Sequence, residues 1–87
     1  MSIKEQFDII RLSSSSQISG IVIHPMKKGE IFVSGGHGEL FTLSIDPFKI
    51  VNSIKIFNQV SMCLAPFNDG ILVGGSNGEL VYLNLNN

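Results

Sequence analysis

This sequence predicts an all-β fold built from a repeated antiparallel unit, on three observations. Residues 70–85, GILVGGSNGELVYLNL, restate residues 30–45, EIFVSGGHGELFTLSI, without a gap. Ile31 matches Ile71, Val33 matches Val73, Gly35 matches Gly75, Gly38 to Leu40 match Gly78 to Leu80, and Leu43 matches Leu83. A recurrence at about forty residues is a mark of stacked β-repeats. No segment carries the apolar period of a helix over the window that such a pattern needs. Several segments, Ile21–Ile23 and Leu80–Leu83 among them, are apolar at successive positions, which suits sheets covered on both faces by other sheets.

The elements follow in order. Phe7–Leu12, FDIIRL, is rich in β-branched residues and reads as a strand, followed by a serine connector at Ser13–Ser16. Ile18–His24 is the next strand, stopped by Pro25, which cannot donate to a ladder, and by the turn residues Lys27, Lys28 and Gly29. Ile31–Ser34 runs into a glycine turn. There His37-Gly38 parallels Asn77-Gly78, and Asn-Gly is a hairpin signal because both residue types tolerate positive φ. Glu39–Ile45 follows and ends at Asp46-Pro47, where a proline in the second turn position would preset φ. Ile50–Phe57 is a more polar strand, suited to an outer position. Val60–Ala65 repeats the role of Ile18–His24 and stops at Pro66. Ile71–Val73, the Ser76–Gly78 hairpin and Leu80–Leu85 close the chain. With strands named d, a, b and c by order of appearance, the pattern is d-a-b-c-d-a-b-c, with repeats over 1–46 and 47–87.

Composition narrows the function classes. A chain of 87 residues buries only about 60 to 65% of its unfolded surface and has a thin core. Against that, 44% of the residues are hydrophobic and only 15% charged, with a mean hydropathy of +0.31. Much of the surface therefore expects a cover. Six basic and seven acidic residues leave a formal net charge of -1, with Lys27 and Lys28 the one basic cluster. That balance carries no electrostatic footprint for nucleic acid or an anionic membrane. The single cysteine, Cys63, lies in an apolar run and reads as a small core hydrophobe. MSIKEQFDIIRL lacks the continuous apolar core of a secretory signal, and no run approaches the about 20 apolar residues of a membrane span. The expectation is a soluble, cytoplasmic protein.

The segment VIHPMKKGEIFVSGGHGELFTLSID resembles the middle of a WD40-type β-propeller repeat: strand a ends at a proline, strand b leads into a small-residue turn, and a glycine precedes strand c. LAPFNDGILVGGSNGELVYLNL is closer still. The family's Gly-His and Trp-Asp pairs are absent. Leu43-Ser44 and Leu83-Asn84 stand at the Trp-Asp positions, and His37 and Asn77 replace the turn aspartate. YVTN-like and quinoprotein-like repeats stay open as alternatives. The resemblance implies two blades of a partial propeller, with Phe7–Leu12 an outer strand lacking its blade and Glu79–Leu85 an inner strand lacking its outer neighbour. Two blades cannot close a ring of four to eight. Completion would come from more chain, from a partner, or from head-to-tail pairing of Phe7–Leu12 with Glu79–Leu85 of another copy.

Chemistry-bearing groups do not converge. The acidic residues are scattered over strand ends and turns, and Glu39 and Glu79 read as solvent-facing starts of strand c. His24 and His37 sit at opposite ends of strand b, and with one cysteine they do not make a metal site. SGGHGE runs into a strand, so it lacks the helix N-terminus of a phosphate loop. No catalytic residue, cofactor or metal is expected. The resemblance implies a protein-interaction scaffold whose exposed loops include Lys27, Lys28, His37, Phe48, Phe67 and Asn77, with Phe48 and Phe67 as candidate anchors. The alternative is a short-chain propeller binding a glycan or small molecule between blades, for which Tyr82 and an absence of tryptophan make a thin aromatic supply. A quinoprotein-like enzyme would need a signal and stacking tryptophans.

Overall fold

The computed structural model describes residues 8–12, 17–35, 37–58 and 61–86. Among these described residues there are seven strands: β1 (Ile18–Ile23), β2 (Glu30–Gly35), β3 (Glu39–Ile45), β4 (Phe48–Lys55), β5 (Ser61–Phe67), β6 (Gly70–Gly75) and β7 (Leu80–Asn84). They form two antiparallel meanders, a four-stranded sheet in the order β1-β2-β3-β4 and a three-stranded sheet in the order β5-β6-β7. Among the described residues β7 has only β6 beside it. The four-stranded sheet runs through the expected repeat boundary at 46/47, because β4 pairs with β3 from Ile45↔Phe48 to Glu39↔Lys55.

Register makes the two sheets equivalent. Gly35 pairs with Glu39, and both Gly35 and Gly75 face the first residue of the strand before them, Ile18 and Ser61. Each first pair is followed by a bulge, between Ile18 and Gly20 in one sheet and between Ser61 and Cys63 in the other. The b and c strands therefore correspond at forty positions and the a strands at forty-three. The b-c turns span three residues between β2 and β3 and four between β6 and β7, where the Gly75 amide donates to the Glu79 carbonyl at 2.8 Å, and each places a glycine, Gly38 or Gly78, at φ 88°. A three-residue hairpin wants a left-handed residue at that point, which glycine adopts without a Cβ clash.

Alternation divides each sheet into two faces. Paired residues share a face, so Gly20, Val22, Phe32, Ser34, Leu40 and Thr42 form the front of the four-stranded sheet. Ile21, Ile23, Ile31, Val33, Phe41 and Leu43 form its back. In the three-stranded sheet, the equivalent front holds Cys63, Phe67, Leu72, Leu80 and Tyr82, and the back holds Leu64, Ile71, Val73, Val81 and Leu83. The sheets stack front to back. Phe32 and Leu40 pack with Ile71 and Val73, with Leu64, Val81 and Leu83 around them and Phe57 closing one end. Gly20 lets the innermost strands meet, since a Cβ there would lie 3.2 Å from the Leu64 backbone nitrogen and 3.1 Å from Ser34 Oγ. Ser34, fully buried, shares a 2.9 Å hydrogen bond with Ser19 Oγ.

Several expectations are corrected. Residues 8–12 form no strand: they have no ladder partner, and Ile10 and Leu12 lie instead over Val33, Phe41 and Leu43 on the back of the four-stranded sheet. Phe7, the serine connector at 13–16 and Val60 lie outside the described residues. Strand β5 runs through Pro66 to Phe67, which an edge strand tolerates because the proline nitrogen needs no partner there. β4 begins at Phe48 and ends at Lys55, two residues short of Phe57. The Ile56 and Phe57 amides donate to the Gly38 carbonyl at 2.8 and 3.2 Å, which turns the chain and drives Phe57 into the core. Pro47 occupies the third turn position, after a cis bond, because Ile45 and Phe48 pair directly around it.

Cys63 is exposed, not a core residue. Its position on β5 faces the uncovered front of the three-stranded sheet, so an apolar sequence context did not translate into burial.

Candidate functional site

The turns sort onto two ends of the stack. A cleft of about 530 Å³ is lined by His24, Lys27 and Glu30 from one side and by Leu83, Asn84 and Leu85 from the other, so the β1–β2 turn and the end of β7 lie at one end. The antiparallel order brings the β3–β4 and β5–β6 turns to that same end, where the Asp69 carbonyl accepts from the Leu85 amide at 3.0 Å. Lys27, Lys28, Phe48 and Phe67 therefore share one end. His37 and Asn77, in the β2–β3 and β6–β7 turns, share the other. The six do not form one patch.

Phe48 and Phe67 are strand ends, not loop residues: Phe48 opens β4 and Phe67 closes β5. Phe67 meets Tyr82 edge to face, with ring centroids 6.2 Å apart, and the Tyr82 hydroxyl donates to the Phe67 carbonyl at 3.4 Å. Both rings stand exposed on the front of the three-stranded sheet. Asn77 holds its own turn. Its Oδ1 accepts from the Glu79 amide at 3.2 Å, and its Nδ2 donates to Glu79 Oε1 at 2.9 Å.

His24 organises the β1–β2 turn. Its Nδ1 accepts from the Met26 and Lys27 amides, both at 3.1 Å, which requires that nitrogen to be unprotonated. Its ring packs on Phe32 at 4.7 Å. Burial lowers its pKa below 6.5, and nearby Lys27 adds to the effect while Glu30 opposes it. Among the described residues, no three His, Cys, Asp or Glu side chains come together to hold a metal ion. No helix among them is long and apolar enough to cross a membrane.

The larger feature is a pair of outer apolar faces, the front of the three-stranded sheet open and the back of the four-stranded sheet covered only in part, by Ile10 and Leu12. Ile21 and Ile23 on the back of the four-stranded sheet are 64% and 75% exposed, and Leu80 and Phe67 on the front of the other are 69% and 54% exposed. Patches of this kind mark interaction surfaces. Their signal in the sequence was the low charge content together with runs that are apolar at successive positions, Ile21–Ile23 and Leu80–Leu83. Neither models of known protein families nor curated proteins give a match to this chain.

Proposed function

We propose that this chain is a non-enzymatic protein-interaction module: two blades of a WD40-like β-propeller, completed by more chain, a partner or self-association. One observation carries the reading. Two equivalent sheets stack front to back and leave two outer apolar faces: a front that is open, and a back that Ile10 and Leu12 cover over Val33, Phe41 and Leu43 but that stays exposed at Ile21 and Ile23. A stack with exposed apolar side chains at both ends fits a segment of a larger array. In a ring of six or eight blades, three or four such pairs would close the contact. The turns at the two ends, with Lys27, Lys28, Phe48 and Phe67 at one and His37 and Asn77 at the other, would then form the rims of the two end faces.

The test is photo-crosslinking in the source cells, with the reactive residue placed at Tyr82, at Ile21 or, as an exposed control outside the strands, at Asn58. Discrete protein adducts at Tyr82 and Ile21 are expected, and absence of adducts at both faces would refute the reading. The cleft favours a second reading, a glycan or small molecule held between blades, because His24, Glu30, Asn52 and Asn84 bring polar groups to a cavity with an apolar floor. Binding on a glycan array that is lost in Asn52→Leu is its expected outcome.

A further inference from the structure

Resting on the reading of the two sheets as blades, we infer that the partner of the two outer faces is a second copy of this chain, docked front to back. The front of one copy's three-stranded sheet would seat on the back of the other copy's four-stranded sheet. The argument is continuity with a contact already made inside the chain. Front residues Phe32 and Leu40 correspond to Leu72 and Leu80, which lie on the bare front. Back residues Ile71, Val73, Val81 and Leu83 correspond to Ile31, Val33, Phe41 and Leu43, which lie on the outer back, where Ile10 and Leu12 cover them. The junction between copies would therefore repeat the intrachain junction, apolar residue for apolar residue. Such a contact is heterologous, joining unlike faces.

The same correspondence explains residues 8–12. Displaced forty-three positions, they align with residues 51–55 of β4, and the spacing from Leu12 to Ile18 equals that from Lys55 to Ser61. β4 pairs with β3 of one sheet and hands the chain on to β5 of the next. In the docked pair, residues 8–12 would leave the back face they now cover and take the open edge of the other copy's β7, as β4 takes that of β3. Ile10 and Leu12 are thus a temporary cover, and β7 gains the neighbour it lacks.

The correspondence also fixes an atom-level pair. Gly20 approaches Leu64 within the chain, at 3.2 Å from a built Cβ to the Leu64 nitrogen. Gly20 maps to Cys63, and Leu64 maps back to Ile21. Cys63 of one copy should therefore lie against Ile21 of the next. Within a single chain the two are on opposite outer faces and cannot be bridged.

The experiment uses the purified full chain, with far-UV circular dichroism to show that each variant stays folded. Wild type is expected to self-associate in light scattering as concentration rises. Leu80→Glu blocks the front and Ile23→Glu blocks the back, and each should weaken association about thirty-fold or more. Both positions are exposed in the single chain, so the fold should persist. An equimolar mixture of the two variants retains one intact junction and should give a one-to-one dimer and nothing larger. Ile21→Cys, treated with a mild oxidant, should form interchain disulfides with Cys63, which Cys63→Ser abolishes. A folded wild type that remains monomeric, a dimer indifferent to both substitutions, or a mixture that fails to pair would overturn the inference. A folded monomer that still gives adducts with other proteins at Tyr82 would overturn self-stacking alone. A disulfide within one chain would overturn the face assignment and the blade reading together.

Discussion

Ile31 and Ile71 occupy the same position of the two repeats, yet the structure gives them unlike surroundings. Ile71 is fully buried between the sheets, whereas Ile31 lies on the back face and is only partly covered, beside Ile10 and Leu12. Truncation to alanine removes three carbons from each, worth about 2.4 kcal/mol at full burial, and the cavity left at Ile71 raises the cost there to about 3 to 4 kcal/mol. At Ile31 little cavity forms, and the cost should be about 1 kcal/mol. A domain of this size is stable by about 4 to 13 kcal/mol in all, so Ile71→Ala risks general unfolding. The milder pair Ile71→Val and Ile31→Val guards against that, with expected costs of about 1 and under about 0.5 kcal/mol. The assay is urea unfolding at concentrations low enough to keep the chain monomeric, with thermal unfolding alongside, where 1 kcal/mol corresponds to about 4 to 8 °C. Equal losses at the two positions, or a larger one at Ile31, would refute the stacking of the sheets as described.

Three further outcomes are expected. Because folding lowers the His24 pKa, protonation favours the unfolded chain: the contribution is complete above pH 6.5 and is lost as pH falls through the folded value, where Nδ1 can no longer accept from the Met26 and Lys27 amides. Urea midpoints should rise with pH through that window, and His24→Asn should flatten the rise. Gly70→Ala should destabilise by about 1 to 3 kcal/mol, since its Cβ would run into the Leu83 carbonyl and sit 2.7 Å from the Tyr82 ring; thermal unfolding reads this, and no change in midpoint would contradict the close packing at that turn. Asn77→Ala should cost about 0.5 to 1 kcal/mol through loss of its two bonds to Glu79, with faster amide exchange at Gly75 and Gly78 as the local readout.

Much of the architecture was legible because repetition and turn chemistry are local. The glycine at Gly38 and Gly78, the apolar alternation around it, and the proline after β1 each act within a few residues, and the strands formed where these signals stood. Other expectations failed where the deciding partner is distant in sequence. FDIIRL has strand composition, but its described residues, 8–12, have no ladder partner, and Ile10 and Leu12 cover a face instead. Pro66 is a stop only in a strand that needs its amide, and β5 is an edge. Cys63 has apolar neighbours along the chain, but no second layer lies over it. The candidate residues Phe48 and Phe67 were visible as aromatics near turns, while their placement at strand ends came from pairing with Ile45 and Gly70.

By itself the sequence determined that the chain is all-β, that it holds the same b-c hairpin twice, and that its low charge leaves apolar surface to be covered. Those properties follow from periodicity and composition, which act on each segment wherever it lies. The tertiary structure alone decided which of two similar apolar faces is buried. A strand such as ILVGG offers apolar side chains to both sides, and only the approach of the four-stranded sheet, permitted by Gly20, makes Ile71 core while leaving Leu72, Leu80 and Tyr82 on the uncovered front. Burial is a property of what stands opposite a residue, and that neighbour lies some forty residues away along the chain.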